Sequence, residues 1–250
     1  MRYFYINQSD ITGSTSIITG TDAKHIKKVL RLKPGDIIGL FDGLGFEYEA
    51  RIVHLSASSV EVLITRSFPS KTESPVQIIV AQAFLKDRKM DTLVRQLSEL
   101  GITKWMPFIA SRSVPKPDKK RLAARTERWK KIAVEALKQC KRSRITEIGT
   151  TVSFENILKT VKDYDLKIAF YENETKSINS ILSKHDRNIG TICIMLGPEG
   201  GFTSQEIESA RNCGFYISAL GPRILKSETA AIAASTLIQY LFGDLGLNIS

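Results

Sequence analysis

Short runs of alternating apolar and polar residues dominate the first part of the chain. Four such runs occur at residues 2–5 (RYFY), 36–41 (DIIGLF), 46–55 (FEYEARIVHL) and 59–66 (SVEVLITR). A period of two is typical of half-buried strands, and the Gly/Asp turns between the runs favour tight connections. One helix is predicted around Asp22 to Arg31. The pattern therefore predicts a small antiparallel β-barrel with a single helix.

The pattern changes after a polar, proline-containing linker at Ser67 to Pro75. Apolar strands now alternate with helical segments; the strands read VQIIVAQA, KWMPF, LKIAFYE, GTICIML and FYISAL. Alternating strands and helices predict an α/β domain with a largely parallel sheet. We therefore expect two domains, at residues 1–70 and 76–250.

Three longer helices follow from apolar residues at helical spacing. The first is predicted from Asp87 to Leu100, with Gly101 ending it as a C′ residue. The second is predicted from about Asp118 to Lys141, with a buried face at Leu122, Trp129, Ile132, Ala133 and Ala136. The third runs from Ser227 to Phe242 and is rich in small and aliphatic residues.

Two similar loops follow the last two predicted strands. LGPEGGFTSQEIESA occupies residues 196–210 and LGPRILKSETAAIAA occupies residues 220–234. Each is a Gly-Pro turn between a strand and a helix start, so free backbone N–H groups should meet at one edge of the sheet. Thr203 and Glu206 have the spacing of a capping box. One such loop would be an ordinary capped junction, but two matched copies favour a small-molecule site.

The loop chemistry favours an adenosine-like ligand over a bare phosphate. Gly197, Gly200 and Gly201 allow close approach of the backbone to a ligand. The loops lack the G-x-G-x-x-G spacing of dinucleotide folds, and residues 221–227 (GPRILKS) lack the glycine that precedes the lysine of a P-loop. A nucleotide triphosphatase is therefore rejected.

Composition narrows the class of protein. The chain has 250 residues, 42% of them hydrophobic, and no apolar run long enough for a membrane span. Its first residues lack a secretory h-region, so a cytoplasmic protein is expected. Cys140, Cys193 and Cys213 show no C-x-x-C pairing. We therefore expect neither a metal site nor a structural disulfide.

The positive charge is concentrated in one segment. The net charge is +10, and residues 111–144 contain 13 Lys or Arg against three acids, so this segment carries the whole excess. A solvated lysine-rich face would give the same count, but a localised basic stripe is typical of polyanion binding. Lys119, Lys120 and Arg121 are the RNA contacts predicted within this stripe.

At the two loops the sequence closely resembles the SPOUT methyltransferases, and within them the RsmE family of ribosomal RNA uridine-N3 methyltransferases. Residues 25–36 resemble the His-x-x-x-Val-Leu-Arg-x-x-x-Gly-Asp signature of that family's PUA-like RNA-binding barrel. The resemblance extends over nearly the whole chain. Lys226-Ser227 stands where the family usually has Arg-Thr, which keeps a cation and a hydroxyl but loses the guanidinium fork.

The resemblance implies a C-terminal SPOUT trefoil-knot domain beside an N-terminal PUA-like β-barrel. It implies S-adenosyl-L-methionine as the cofactor and N3 of a uridine in small-subunit (16S) ribosomal RNA as the methyl acceptor. It also implies a homodimer, for which the helix from Ser227 to Phe242 could supply an interface or an internal packing face.

The resemblance also assigns residues to the site. Arg31 and Lys33 are expected to contact RNA, and Glu199, Glu135, Arg112 and Arg142 are the catalytic candidates. Glu135, Gln139 and Arg142 would share one helical stripe if the helix continued that far. Glu228 is a further candidate for a base, although an acid in a first helical turn also stabilises the helix dipole. The residues expected around the cofactor are Leu196, Gly197, Pro198, Glu199, Gly200, Gly201, Leu220, Gly221, Arg223, Ile224, Leu225, Glu228, Thr229 and Ala230.

Two other functions fit the same sequence. One is a SPOUT enzyme that methylates another RNA nucleotide, such as a 2′-hydroxyl in transfer RNA. The other is a non-catalytic RNA-binding protein of ribosome assembly. Cofactor binding separates the second from the enzymes, and analysis of the methylated nucleoside separates the first from a uridine-N3 methyltransferase.

Overall fold

The structure is a computed structural model that describes residues 1–86, 88–115, 117–179 and 189–246. Asp87 and Lys116, which fall in predicted segments, lie outside the described residues. The chain forms two compact units, one from Met1–Glu73 with Leu137–Ile145 and the other from Ser74–Ala136 with Thr146–Ser250. The sequence pattern did not predict that residues 137–145 belong to the first unit.

The first unit is built on a curled six-stranded sheet. Its strands are β1 (Tyr3–Tyr5), β2 (Ile11–Thr12), β3 (Thr15–Thr19), β4 (Ile37–Phe41), β5 (Phe46–Leu55) and β6 (Ser59–Pro69), in the order β1-β4-β5-β6-β3-β2. β1 pairs with β4 in parallel, and the other neighbours are antiparallel. The sequence pattern predicted four of these strands and missed β2, which has two residues, and β3, which has five.

One helical segment crosses the first unit. Helix α1 (Gly20–Lys24) continues into a wider π-helical turn at His25–Val29. Ile26 is fully buried in the core, whereas Val29 is 69% exposed. Arg31 then takes a left-handed backbone conformation with φ of 53°. The helical segment therefore begins and ends two residues earlier than predicted, because Arg31 turns the chain away at the signature segment.

The second unit contains a parallel sheet. Its strands are β7 (Gln77–Ala83), β8 (Lys104–Ile109), β9 (Glu147–Ile148), β10 (Val152–Ser153), β11 (Leu166–Phe170), β12 (Thr191–Leu196) and β13 (Tyr216–Ser218). The order is β10-β8-β7-β12-β11-β13, with β9 also on β8, and every pair is parallel. Ile78 to Ala83 are all buried, as expected for a strand covered on both faces. This is the parallel α/β architecture that the resemblance implies.

Within the described residues, five helices connect or flank these strands. They are α2 (Lys89–Glu99), α3 (Lys119–Cys140), α4 (Phe154–Thr160), α5 (Ser204–Asn212) and α6 (Ser227–Phe242). Trp129 of α3 is fully buried, packs edge-on against Trp105 at 4.9 Å and donates its indole N–H to Asp91 at 2.9 Å. Of the face predicted for α3, Trp129, Ala133 and Ala136 are buried, whereas Leu122 and Ile132 are half-buried. None of the described helices is long and apolar enough to cross a membrane.

Candidate functional site

A cavity of about 300 Å³ opens in the second unit, where three neighbouring strands end. Phe170 of β11 is in register with Leu196 of β12 and with Ser218 of β13. Because the strands are parallel, the loops that follow them emerge at the same edge of the sheet, where open α/β sheets bind ligands. The two Gly-Pro loops therefore meet around one cavity.

Most of the residues predicted around a cofactor line this cavity, the exceptions being Gly200 and Thr229. The wall is apolar at Phe170, Leu196 and Leu225, and charged side chains interrupt it. The lining residues that were not among the predicted site residues are Lys89, Phe170, Tyr171, Glu172, Ala219, Lys226 and Ser227.

The first loop is held from both sides. Thr203 caps α5 in the predicted capping box with Glu206. Gly201 has φ of 67°, and a Cβ at this position would collide with the carboxylate of Glu172. Arg112 donates from Nη1 to the carbonyl of Gly200 at 3.0 Å. The loop conformation thus depends on a glycine and on a guanidinium that binds its backbone.

A buried polar group joins the first loop to the second. Ser227 Oγ, at the start of α6, donates to the carbonyl of Gly197 at 2.5 Å. Gln82, fully buried near the end of β7, donates from Nε2 to Ser227 Oγ at 3.2 Å and to the Gly197 carbonyl at 3.4 Å. A buried amide in an apolar strand costs free energy unless it forms such bonds. Gln82 and Ser227 therefore fix the separation of the two loops.

Lys89 lies between two carboxylates at the cavity wall. Its Nζ is 3.0 Å from Glu199 Oε1 and 3.5 Å from Glu228 Oε1. The hydrogen bond to Glu199 is the main cause of a raised Lys89 pKa. Burial raises the pKa of Glu199, but hydrogen bonds from the Lys86 backbone N–H and from Lys89 outweigh it, and the pKa falls below its ordinary value. Glu199 is therefore a firmly held anion.

Comparison with known proteins covers both units. A family model described as an RNA methyltransferase domain matches residues 72–239, and one described as an RNA methyltransferase PUA domain matches residues 18–65. The ribosomal RNA small subunit methyltransferase E of Bacillus subtilis is 32% identical over 246 residues, or 96% of each chain. This chain belongs to the ribosomal RNA small subunit methyltransferase E family.

Solved structures agree with membership of the methyltransferase E family. The Neisseria gonorrhoeae ribosomal RNA small subunit methyltransferase E, bound to S-adenosyl methionine, is 31% identical with a TM-score of 0.85, and the match covers 98% of this chain and 99% of that one. A Legionella pneumophila protein in complex with the same cofactor is 30% identical with a TM-score of 0.84, covering 97% and 98%. The whole chain thus shares the fold of cofactor-bound relatives.

The cavity of this family member fits such a cofactor. Its volume is about 300 Å³, at the lower end of the range for small-molecule sites. Backbone at Gly197 and Gly221 can approach a ligand closely, and apolar walls suit an adenine ring. A zwitterionic methionine group needs both signs of charge, and Lys89, Arg223 and Lys226 line the cavity together with Glu172, Glu199 and Glu228. Within the described residues, no cluster of side chains suited to a metal ion occurs.

Three of the four catalytic candidates are not among the residues that line the cavity, namely Glu135, Arg112 and Arg142. Glu135 is exposed on α3. Helix α3 ends at Cys140, and Lys141 takes a left-handed conformation with φ of 62°, so Arg142 does not continue the predicted stripe. Arg142 is instead buried in the first unit, where Nη2 contacts Glu73 Oε2 at 2.8 Å. The stripe prediction is corrected: the helix stops two residues too early.

The basic segment is more neutralised than its composition indicates. Within the described residues, five of its cations form ion pairs: Arg121 with Asp118, Arg128 with Asp91, Lys130 with Glu127, Lys138 with Asp22 and Arg142 with Glu73. Lys119 and Lys120 form none with the residues that the structure describes and are exposed. In the first unit, Arg31 and Lys33 flank an exposed turn in which Asp36 accepts from the Lys33 backbone N–H.

Gln82 and Glu172 escaped sequence reasoning, and Lys89 was matched to the family without a role. Gln82 is a polar residue in an apolar strand, and that interruption is a usable signal. Lys89 matches a family position, but its contact with both Glu199 and Glu228 depends on tertiary structure. Glu172 follows the end of β11 just as the Gly-Pro loops follow the ends of their strands. Its position after a predicted strand is therefore the sequence signal that indicates it.

Proposed function

We propose that this protein transfers a methyl group from S-adenosyl-L-methionine to N3 of a uridine in the RNA of the small ribosomal subunit. As a member of its family the chain is an RNA methyltransferase that uses this cofactor. The observation that carries the proposal is the full-length match to a cofactor-bound ribosomal RNA small subunit methyltransferase E, together with the cavity that both Gly-Pro loops line.

The cofactor supplies an activated methyl group on a sulfonium, so the protein has to bind, align and exclude water. Backbone around Leu196, Gly197, Gly201, Leu220 and Leu225 would hold it. Arg112 would position the first loop through its bond to Gly200. Arg223 lines the cavity and would contact an anionic group of the cofactor or the RNA.

The acceptor atom sets further demands. N3 of uridine lies on the Watson–Crick edge, so the target base has to be unpaired or flipped out of a helix. N3 also carries a proton that must leave before or during methyl transfer. The acidic and basic side chains at the cavity wall supply both a proton acceptor and a cation for this step.

RNA binding is proposed for both domains, residues 1–70 and 76–250. Arg31 and Lys33 on the first, and Lys119, Lys120 and Arg121 on the second, would contact phosphates. The match of residues 18–65 to a PUA domain supports the first assignment. We also propose that the enzyme is cytoplasmic and that it needs no metal. Full activity in excess chelator is the expected result if no metal takes part.

A homodimer is part of the proposal. Helix α6 buries Ala231, Ala234 and Ile238, while Tyr240 on the same helix is 65% exposed. An exposed aromatic side chain on the helix whose first turn lines the cavity supports a protein contact along that helix. Light scattering coupled to gel filtration should give about twice the mass of 27.9 kDa; a monomer at micromolar concentration would contradict the dimer.

The decisive experiment is transfer of labelled methyl from S-adenosyl-L-methionine to small ribosomal subunits that lack the modification, with naked ribosomal RNA in parallel. Digestion and nucleoside analysis should yield labelled 3-methyluridine. A different labelled nucleoside would identify another RNA methyltransferase. Cofactor binding without transfer to either substrate would point to a different RNA, and no cofactor binding would point to a non-catalytic RNA-binding protein.

A further inference from the structure

The two carboxylates that contact Lys89 are held differently. Glu199 Oε1 accepts from Lys89 Nζ at 3.0 Å and from the Lys86 backbone N–H at 3.1 Å. Glu228 Oε1 is 3.5 Å from the same ammonium, and Glu228 Oε2 is buried without a hydrogen-bond partner among the described residues. Glu199 is therefore satisfied by donors, whereas Glu228 has acceptor capacity to spare.

An unpartnered buried carboxylate oxygen has a physical consequence. Removing a charged oxygen from water costs free energy when no donor replaces the water, and taking up a proton removes that cost. Protonation of Glu199 would instead weaken two hydrogen bonds that its anion accepts at Oε1. Of this pair, Glu228 is the carboxylate whose second oxygen accepts no hydrogen bond from the described residues.

The other acids are less suited to the same task. Glu135 is not among the residues that line the cavity. Glu172 does line it, but its carboxylate lies against Gly201, where a Cβ would meet it. Glu172 therefore packs on the first loop, whereas Glu228 projects from the first turn of α6 beside an ammonium.

We propose that Glu228 is the proton acceptor for uridine N3 and that Lys89, anchored by Glu199, positions it; this rests on the proposed function. The N3 proton moves to the Glu228 carboxylate, and the nitrogen lone pair forms the new bond to the methyl carbon. The methyl–sulfur bond breaks with its electron pair remaining on sulfur. Glu228 then releases its proton to water.

The charges around Glu228 support this direction of transfer. Lys89 from α2, Glu199 from the first loop, Arg223 and Lys226 from the second loop and Glu172 from the end of β11 all line the same cavity. With both glutamates ionised, the Lys89 cluster carries one excess negative charge. A proton on Glu228 neutralises the cluster, so the positive charge that leaves uracil N3 is received by a cluster that is otherwise anionic.

The helix dipole offers a purely structural explanation of Glu228, because it lies in the first turn of α6. The test therefore uses a substrate that needs no base. 5-Fluorouridine has a more acidic N3 than uridine and ionises without help, so it can replace a missing proton acceptor but cannot repair a distorted cavity. Small-subunit RNA transcribed with 5-fluorouridine supplies this substrate.

Five proteins are compared, namely the wild type and the Glu228→Gln, Glu199→Gln, Lys89→Met and Lys89→Arg variants. Single-turnover methyl transfer is measured at pH 7 on both RNAs, and affinity for S-adenosyl-L-methionine is measured by calorimetry. Glu228→Gln should lower transfer to uridine at least about 100-fold. Its cofactor affinity should fall far less than its transfer rate, because Gln keeps the size of the side chain that lines the cavity.

On the 5-fluorouridine RNA, the defect of Glu228→Gln should shrink to less than about 10-fold. Glu199→Gln and Lys89→Met should show smaller defects on uridine, and Lys89→Arg should recover part of the loss because it keeps the cation. Equal defects of Glu228→Gln on both RNAs, or rescue of Glu199→Gln in its place, would overturn the assignment. Glu228→Asp serves as a second variant if Glu228→Gln melts early. A wild-type product other than 3-methyluridine would instead refute the proposed function.

Discussion

Ser227 Oγ donates to the carbonyl of Gly197 at 2.5 Å and thereby ties the helix after the second Gly-Pro loop to the backbone of the first. Gln82 reinforces this contact, because its Nε2 donates to the Gly197 carbonyl and to Ser227 Oγ. A hydroxyl at position 227 is therefore a structural requirement of a cavity made from two separate loops.

Removal of that hydroxyl should weaken cofactor binding. Ser227→Ala leaves the Gly197 carbonyl and the Gln82 amide short of a partner, at a cost of about 1–2 kcal/mol. Because the loops would separate more freely, affinity for S-adenosylhomocysteine should fall about 5- to 20-fold. Ser227→Thr keeps the hydroxyl and should bind like wild type. Equal affinities for all three proteins by calorimetry would refute the link.

A side chain at position 201 should block the cavity. Gly201 combines a left-handed backbone with φ of 67° and a Cβ direction occupied by Glu172. Gly201→Val should therefore lower cofactor affinity more than about 10-fold. Gly214→Ala is the matched control, since Gly214 has φ of 81° but its nearest neighbour, Lys167 Nζ, is 3.4 Å from the added carbon. The control should lose stability while binding the cofactor normally.

Local signals predicted the cavity well. The Thr203 capping box, the bounds of α6 and the two strand-turn-helix loops all depend on residues within a few positions of each other. The Gln82–Ser227 contact joins residues 145 positions apart, and no short-range pattern encodes it. The sequence could thus indicate which loops form the site but not what holds them together.

The segment that follows α3 was the weaker part of the sequence prediction. Lys141 ends α3 in a left-handed conformation that usually requires glycine, so no Gly signal marked the end. The residues after this helix end are held by Glu73, which lies 69 positions before Arg142 in the chain. The Glu73 carboxylate pairs with Arg142 and also accepts hydrogen bonds from the backbone N–H groups of Ser143 and Arg144. A tertiary ion pair therefore overrides the local preference.

This ion pair should contribute mainly to stability. Arg142→Met would leave Glu73 partly buried and unpaired, which should lower the free energy of unfolding by about 3 kcal/mol. The double variant with Glu73→Gln should recover part of the loss, because no buried charge remains. Urea denaturation of both variants measures the effect. An Arg142→Met protein that unfolds like wild type but transfers no methyl would instead favour the catalytic role that its motif predicts.

Glu199 should make stability depend on pH. Its pKa in the folded protein is lowered: burial raises it, but hydrogen bonds from Lys86 and Lys89 outweigh that effect. A lowered pKa contributes stability above the unfolded value of about 4.3, and this contribution is lost as pH falls through the folded pKa. Glu199→Gln should therefore cost about 0.5–1 kcal/mol at pH 7 and less at pH 3.

Glu208→Gln provides the comparison for that measurement. Its carboxylate pairs with Arg211 on the exposed surface of α5, with 58% of the Glu208 side chain accessible. Exposed pairs contribute little, so urea denaturation should give nearly the same free energy as wild type at both pH values. A Glu199→Gln variant that loses equal stability at pH 7 and pH 3 would show that the carboxylate charge is not what stabilises the loop.

The basic segment should contribute to RNA affinity unequally. Lys119 and Lys120 form no ion pair with the described residues, whereas Arg121 contacts Asp118 at 3.5 Å. A cation already neutralised by a carboxylate releases fewer counterions from RNA. Lys119→Gln with Lys120→Gln should therefore lower the slope of log affinity against log salt by about 1.4–1.8, and Arg121→Gln should lower it by less.

Cofactor affinity should stay constant in these variants, because none of the three residues lines the cavity. Lys159→Gln, which removes one exposed charge from α4, controls for the general loss of positive charge. Filter binding between about 50 and 200 mM salt gives the slopes. If Lys159→Gln lowers the slope as much per charge as the Lys119 and Lys120 changes do, the RNA responds to net charge alone, and the predicted basic stripe has no specific role in binding.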